Sequence, residues 1–531
     1  MTTRHASQRI GAALLAVALL AGACAPTAAP GGTATGTPQG GVQKGGTLVV
    51  AVRETVLSLD PANHRSRVTE TVIRSMFDGL VTRTPDGKVV AEIAEKWAQT
   101  APTTWDFTIR DGVTFHDGSK LTAEDVRFTL HRVAIANAMD GKTSPRQSLL
   151  PKIKAISAPD ARTVRIELES ATPGAILLAG LVHQQIVPKA YVEKVGGAGL
   201  AEKPIGAGPF KFVEAKLDQQ VVVARYDGYY GGSPEMTPVA PANVDRVIFR
   251  VSPELSTAVS ALKTGEVNVV QSVPAASVRE LRADPNVQIK SYDGTRTTWV
   301  ALNVTKAPLN DARVRRALNH AVNVAEIVAK VYEGEAVQMS GAVPAFSQFV
   351  DTSIKPYGFD QAKAKALLAE AGKTNFPLVI DCIASFKDVG EVIAQQLRAV
   401  GVDASVRIWE SATLQAAALA GERQAVLWDW GNAFRHPVDL LDAVLKTKAR
   451  GNYANYGNPE VDRLLDQGSS ATDERTAQEA YFKAQRILYD EAPWIFGWVP
   501  KEIEAATKNV QNWQPGPDGR ELLADVWLNS R

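Results

Sequence analysis

The chain has 531 residues, enough for several domains, each with its own buried core. Its 58 Lys and Arg nearly balance 57 Asp and Glu, a formal net charge of +1, so no global field favours nucleic acid or an anionic membrane. Hydrophobic residues at 45% and charged residues at 22% match a soluble globular body and argue against a disordered chain.

Arg4 and Arg9 precede an uncharged apolar run from Ile10 to Ala23, too short to span a bilayer and readable as a secretory signal over 1–23. Ala21-Gly22-Ala23-Cys24 closes that run. Small residues before a Cys resemble the bacterial lipobox, whose thiol receives a diacylglycerol, although Ala21 stands where Leu is commoner. The alternative is an ordinary signal cut near Ala23 or Ala25. Residues 24–46 are then a lipidated Cys24 and a Gly-, Pro-, Ala- and Thr-rich tether with almost nothing to fill a core. No later apolar stretch reaches spanning length, so the membrane contact expected here is the lipid anchor, on the periplasmic or outer face of the cytoplasmic membrane.

The body opens with a strand at Gly46 to Val50 and a helix around Thr71 to Phe77. Trp105 to Arg110 alternates as a strand, Asp111-Gly112 turns, and Val113 to Phe115 is expected to return as its hairpin partner. Asp117-Gly118 turns again, and Thr122 with Asp125 forms a variant capping box for the next helix. His116 beside Asp117 is read as structural, since neighbours in a turn do not by themselves face one substrate atom. Strands at 154–156 and 163–168 flank the turn at Pro159-Asp160-Ala161. Gly206 and Gly208 lack the third glycine of a dinucleotide loop, which is Lys211 here, and a strand follows them.

Farther on, a strand at 244–250, a helix from near Pro253 to Gly265 and a strand at 267–270 give a β-α-β rhythm. Residues 311–328 read as one helix, with Arg315 and Arg316 solvated or paired with acids. Gln361 to Ala371 is a helix stopped by Gly372, and Leu367 occupies the position where a Walker loop needs glycine. Strand, helix and strand at 377–384, 389–400 and 403–409 imply a parallel crossover, with Cys382 a buried core residue. Helices follow at 461–465 and 473–490.

Four of these segments, Trp105 to Val126, Phe77 to Val81, Lys203 to Phe210 and Asn303 to Asp311 with its helix, resemble motifs of the family 5 extracellular solute-binding proteins of ABC importers. The similarity runs over about 47–500, in the family's order. It implies an α/β, two-lobed periplasmic-binding-protein-like fold with a discontinuous first domain and an extra inserted domain. The expected boundaries are 47–78, 205–296 and 497–531 for the first domain, 79–204 for the second and 297–496 for the third. It also implies a monomer that hands a small-molecule solute to ABC permease subunits and has no enzymatic activity.

The residues themselves offer little chemistry. His5, His64, His116, His131, His183, His320 and His436 lack H-E-x-x-H spacing, and no C-x-x-C occurs, so no metal or cofactor is expected. No G-x-S-x-G elbow marks a nucleophile, which weakens the rival reading of a secreted hydrolase. The third class, a structural or adhesive surface protein, would lack a solute-sized cleft.

Candidate solute contacts lie where the strand Gln424 to Trp430 ends in a loop: Trp430, Gly431, Asn432, Ala433, Phe434 and Arg435. Trp428 and Trp430 are expected to divide between core and cleft, with Trp430 facing solute. In peptide-binding relatives this loop resembles W-G-x-D-x-x-D-P, and its first Asp pairs with the ligand ammonium. Here Ala433 takes that place and His436 the second, so an ordinary peptide loses an anchor unless Asp429 or Asp439 substitutes. Arg435 would suit a carboxylate-bearing solute, or a neutral sugar held between aromatic faces. Tyr453, Asn455, Tyr456 and Asn303 complete the candidates. The solute expected first is a peptide or peptide-like molecule, with an opine, glycoside or metal chelate as alternatives.

Overall fold

The computed structural model describes residues 42–236, 240–471, 473–516 and 521–529. The expected signal, Cys24 and most of the tether lie outside the described residues. The chain enters through β1 (Thr47–Val52) and α1 (Arg67–Met76). Ser66 caps α1, its hydroxyl accepting from the Thr69 N–H at 3.1 Å. β2 (Val81–Arg83) and β3 (Val89–Ala91) pair as a small hairpin. β4 (Ala94–Ala101), β5 (Thr104–Ile109), α2 (Ala123–Ala134), β6 (Ile153–Ser157) and β7 (Thr163–Leu168) follow, and α3 (Gly174–Leu181) and α4 (Lys189–Glu202) complete this section. Its four strands form a sheet in the order β4-β5-β7-β6, and Phe107, Val126, Leu130 and Val164 fill its core.

The capping box forms as expected, with the Thr122 N–H donating to Asp125 Oδ2 at 2.9 Å. The hairpin expected after Gly112 does not. β5 is already flanked by β4 and β7, so no edge remains for Val113 to Phe115. That stretch instead folds on itself across the Asp117-Gly118 turn, where the Phe115 N–H donates to Ser119 O, and Val113 and Phe115 are buried. His116 ties the turn to the returning chain, its Nε2 lying 3.1 Å from Gly208 O and its ring edge-on to Tyr226. The glycines there serve close packing rather than phosphate: a Cβ on Gly206 would lie 2.1 Å from Met76 O.

β8 (Phe210–Lys216), β9 (Gln220–Arg225), β10 (Arg246–Val251), α5 (Leu255–Thr264), β11 (Val269–Val270), α6 (Ala275–Ala283) and β12 (Val287–Asp293) come next. β1 lies between β10 and β11, parallel to both, which explains its apolar sequence on both faces. The remaining elements are β13 (Arg296–Leu302), α7 (Ala312–Ala321), α8 (Val324–Lys330), β14 (Ala336–Gln338), α9 (Gln361–Glu370), β15 (Pro377–Ile383), α10 (Lys387–Arg398), β16 (Asp403–Trp409), α11 (Ser411–Leu419), β17 (Ala425–Gly431), α12 (Pro437–Val444), α13 (Pro459–Ser470), α14 (Glu474–Glu491) and β18 (Trp494–Thr507).

The single helix expected over 311–328 is two. Val322 is extended, and Asn323 starts α8 by accepting from the Glu326 N–H at 3.1 Å. Arg315 is not solvated or acid-paired at its guanidinium as expected. It is buried and donates to the carbonyls of Glu491 at 2.5 and 2.8 Å and of Leu309 at 2.7 Å. The parallel crossover β15-α10-β16 forms, and Cys382 is fully buried inside it.

One large sheet runs β16-β15-β17-β13-β18-β11-β1-β10-β9-β8. β18 joins its halves: residues up to Pro500 pair with β13 and β14, and those from Lys501 onward pair with β12 and β11. Between β12 and β13 the chain crosses β18 so tightly that a Cβ on Gly294 would lie 2.3 Å from Pro500 O. Separate cores sit on either side, one around Leu48, Phe77 and Phe249, the other around Trp299, Tyr481 and Trp494.

Candidate solute site

β17 ends beside β13, with Asp429 opposite Thr298 and Gly431 opposite Arg296. This register brings Arg296 Nε to 2.5 Å from Asp429 Oδ2. Beside that pair opens a cavity of about 550 Å³. From β17 and its neighbours it is lined by Trp428, Asp429, Trp430, Gly431 and Ala433, with Asp439 and Arg450 beyond. The facing wall brings Arg53, Arg65, Arg67, Glu70, Arg146 and His183.

Trp428 belongs to the buried core and Trp430 is only half-buried, but the two do not lie on opposite faces of β17. Positions two apart on a strand share a face, so both indoles reach the same cavity. Trp428 is 8% exposed and meets Tyr453 edge-on at 5.6 Å. Trp430 is half-buried, backed by Gly451, and carries the Arg450 guanidinium over its ring at 4.6 Å.

Of the other loop residues, Gly431 and Ala433 line the cavity, whereas Asn432 is fully buried and braces the loop. Its Nδ2 donates to Ser347 Oγ at 2.8 Å and its Oδ1 accepts from the His436 N–H at 3.2 Å. Phe434 is half-buried, its N–H donating to Asp439 Oδ2 at 3.2 Å. Arg435 points elsewhere, over the Phe346 ring at 5.2 Å and against Gly87, into a separate groove. His436 caps α12 through Nδ1, which accepts from the Val438 N–H at 3.2 Å, and burial lowers its pKa to about 4.

Asn303, Tyr453, Asn455 and Tyr456 do not line the cavity. Asn303 Nδ2 donates to Arg423 O at 2.8 Å, and Asn455 Nδ2 donates to Ala418 O at 3.0 Å. Tyr453 and Tyr456 are 2% and 4% exposed, and their hydroxyls donate to Gln415 and Glu491. These aromatics read as cleft candidates because a tyrosine with a polar tip suits a ligand, but the same tip serves equally well inside a core.

The facing wall was not legible in advance. Glu70 lies 2.9 Å from His183 Nδ1 and 3.4 Å from Arg146 Nη2. Arg146 Nη1 donates to His64 Nε2 at 2.7 Å, which requires a neutral ring; burial, then the Arg146 charge, lowers His64 to about 3. Nothing in the spacing of these residues distinguishes them from surface charge, because they come from three distant segments. A second cavity, about 260 Å³, adjoins Asp78 and Glu92; burial, then repulsion from Glu92, raises the Asp78 carboxyl, to which the Tyr229 hydroxyl donates at 3.1 Å. It shares no residue with the β17 loop. Among the described residues no group of three His, Cys, Asp or Glu could hold a metal, and no helix is long and apolar enough to cross a membrane.

Residues 88–452 match the bacterial extracellular solute-binding proteins, family 5. The chain belongs to that family. It is 27% identical to heme-binding protein A of Haemophilus influenzae, over 83% of this chain and 84% of that one. It is 28% identical to the glutathione-binding protein GsiB of Pectobacterium atrosepticum, over 88% and 92%. The ABC transporter-associated periplasmic binding protein DppA of Helicobacter pylori, solved with the peptide STSA, superposes with a TM-score of 0.74 at 26% identity, covering 92% of this chain and 99% of that one. The fold is therefore the two-lobed α/β fold of a solute-binding protein, not of an enzyme.

Proposed function

We propose that this chain captures a peptide or peptide-like solute in the cavity beside β17 and delivers it to the permease subunits of an ABC importer. The observation that carries the reading is the cavity itself: two indole faces, with cationic and anionic side chains on facing walls, about 550 Å³ in volume. Trp430, Gly431 and Ala433 remain the favoured contacts of the loop, joined by Trp428, Asp439, Arg65 and Arg450. Relatives that bind glutathione and the peptide STSA support a peptide, and the ABC association of the latter supports the transport role. A solute touching both walls favours a closed form, which the permease reads.

The domain boundaries follow the same reading: 47–78, 205–296 and 497–531 in one lobe with 79–204 attached, and 297–496 in the other. The crossing at Gly294 and Pro500 is then the hinge. Residues 1–23 direct export, and Cys24 carries the lipid that holds the protein at the membrane. Native mass spectrometry of purified protein, followed by identification of the released solute, tests the substrate class. Recovery of a molecule with no peptide bond would refute it. Labelled palmitate should enter wild type and not Cys24→Ser; equal labelling of both would remove the anchor.

A further inference from the structure

Six arginines reach the cavity, and four of them have acidic partners. Arg53 meets Glu54 at 3.3 Å, Arg67 meets Glu502 at 2.6 Å, Arg146 meets Glu70 at 3.4 Å, and Arg296 meets Asp429 at 2.5 Å. Arg65 and Arg450 form no ion pair among the described residues. Arg65 donates Nη1 to the neutral Ser148 Oγ at 2.7 Å and Pro145 O at 3.3 Å, leaving the rest of its fork open. Arg450 sits over the Trp430 ring, 4.6 Å from its centroid. The two guanidiniums come from facing walls and are close enough that burial, then the Arg450 charge, lowers the Arg65 pKa. One further acid lines the cavity, Asp439: burial raises its carboxyl, while the Phe434 N–H, Arg450 and Arg65 pull it the other way, so it is the one acid within reach of both guanidiniums.

We propose that the solute is anionic, a peptide carrying an acidic side chain in addition to its terminal charges, and that one of its carboxylates bridges Arg65 and Arg450. This rests on the peptide-binding reading above. The wall holds one more guanidinium than it has acids, counting Glu502 behind Arg67, so a zwitterion with balanced ends leaves that excess in place and one extra carboxylate cancels it. Asp439, whose charged form burial disfavours, offsets the repulsion between the two guanidiniums only in part, and the remainder resists approach of the walls. With a carboxylate between them, each fork gains a charge-assisted hydrogen bond, and closure becomes favourable. The indole under Arg450 fixes its position, and a planar guanidinium suits a planar carboxylate.

The test is calorimetric titration with Ala-Glu-Ala, Ala-Gln-Ala and both peptides amidated at the C-terminus. Ala-Glu-Ala should bind at least about tenfold more tightly than its glutamine isostere, the effect of one hydrogen bond to a charged group, and the preference should shrink as salt rises. Arg65→Gln and Arg450→Gln should each collapse that ratio toward one, while Arg463→Gln on α13, a surface charge change of the same size, should leave it intact. Persistence of the preference in amidated peptides assigns the bridge to the side chain; its loss on amidation assigns the bridge to the terminus and overturns the acidic-side-chain proposal. Equal binding of both isosteres, or a ratio unchanged in both cavity variants, also overturns it. If no peptide binds, the peptide reading fails by itself, and thermal shift with glutarate decides the anionic one. A rise in melting temperature lost in Arg450→Gln keeps it, and no rise overturns it.

Discussion

Gly451 tests whether the Trp430 shelf is built by close packing. Its backbone is not left-handed, so alanine is conformationally allowed, and the only penalty is steric. An added Cβ would lie 2.5 Å from Trp430 Cζ3, 2.8 Å from Cη2 and 2.9 Å from Val444 Cγ1, all well inside ordinary contact. The indole must swing to relieve this. Overpacking of this kind costs about 1–3 kcal/mol, which urea denaturation of Gly451→Ala should register as a lower midpoint with unchanged slope. The displaced ring also releases Arg450, forfeiting a cation–π contact worth about 0.5–2 kcal/mol, or roughly a 2- to 30-fold weaker Kd. A double-mutant cycle isolates the cause: in a Trp430→Ala background most of the clash is gone, so Gly451→Ala should cost much less there. An equal penalty in both backgrounds, or wild-type affinity in Gly451→Ala, would refute the reasoning.

Three further outcomes follow from buried polar groups. Arg315→Met should lose about 3–5 kcal/mol of stability by chemical denaturation, because the carbonyls of Glu491 and Leu309 lose their donor; a loss under 1 kcal/mol contradicts the assigned role. His436, held to about 4, stays neutral in the fold while the unfolded ring protonates near 6.5, so its contribution is present above 6.5 and is lost as pH falls toward 4, on the order of 3 kcal/mol. Asp442, raised to about 7 by burial, acts oppositely, its contribution fading as pH rises through 7. The comparison is therefore with His436→Asn, which keeps a capping side chain without a titrating ring and should show a shallower fall in urea midpoint between pH 6.5 and 4. Cys382, buried with its thiol raised to about 11, should resist a thiol reagent in Cys24→Ser protein until urea unfolds it; rapid labelling of the native chain would show the strand to be open.

Elements governed by local chemistry were legible in the sequence. Thr122 with Asp125, Gly265 and Gly372 mark helix ends through caps and left-handed turns that need no tertiary partner, and the strand-helix-strand run ending at Trp409 follows its hydrophobic period. What failed depends on neighbours distant in sequence. Val113 to Phe115 has strand-like residues but finds both edges of β5 occupied, and Asn323 interrupts a helix whose apolar pattern continues past it. In the candidate site, the β17 loop could be singled out because its residues are contiguous, and Trp430, Gly431 and Ala433 of the six named there line the cavity. Arg65 and Arg450 were missed because 385 positions separate them and neither belongs to a motif. Arg450 stands only two residues before Asn452, at the start of the run singled out for its tyrosines, and those tyrosines turn inward while the arginine faces the cavity.

β18 has a bearing on how such a chain is made. Synthesis must pass residue 493 before the strand that seams the large sheet exists, and until then β13 and β11 each present an unsatisfied edge. A chain truncated before Trp494 would therefore carry two raw sheet edges ready to aggregate.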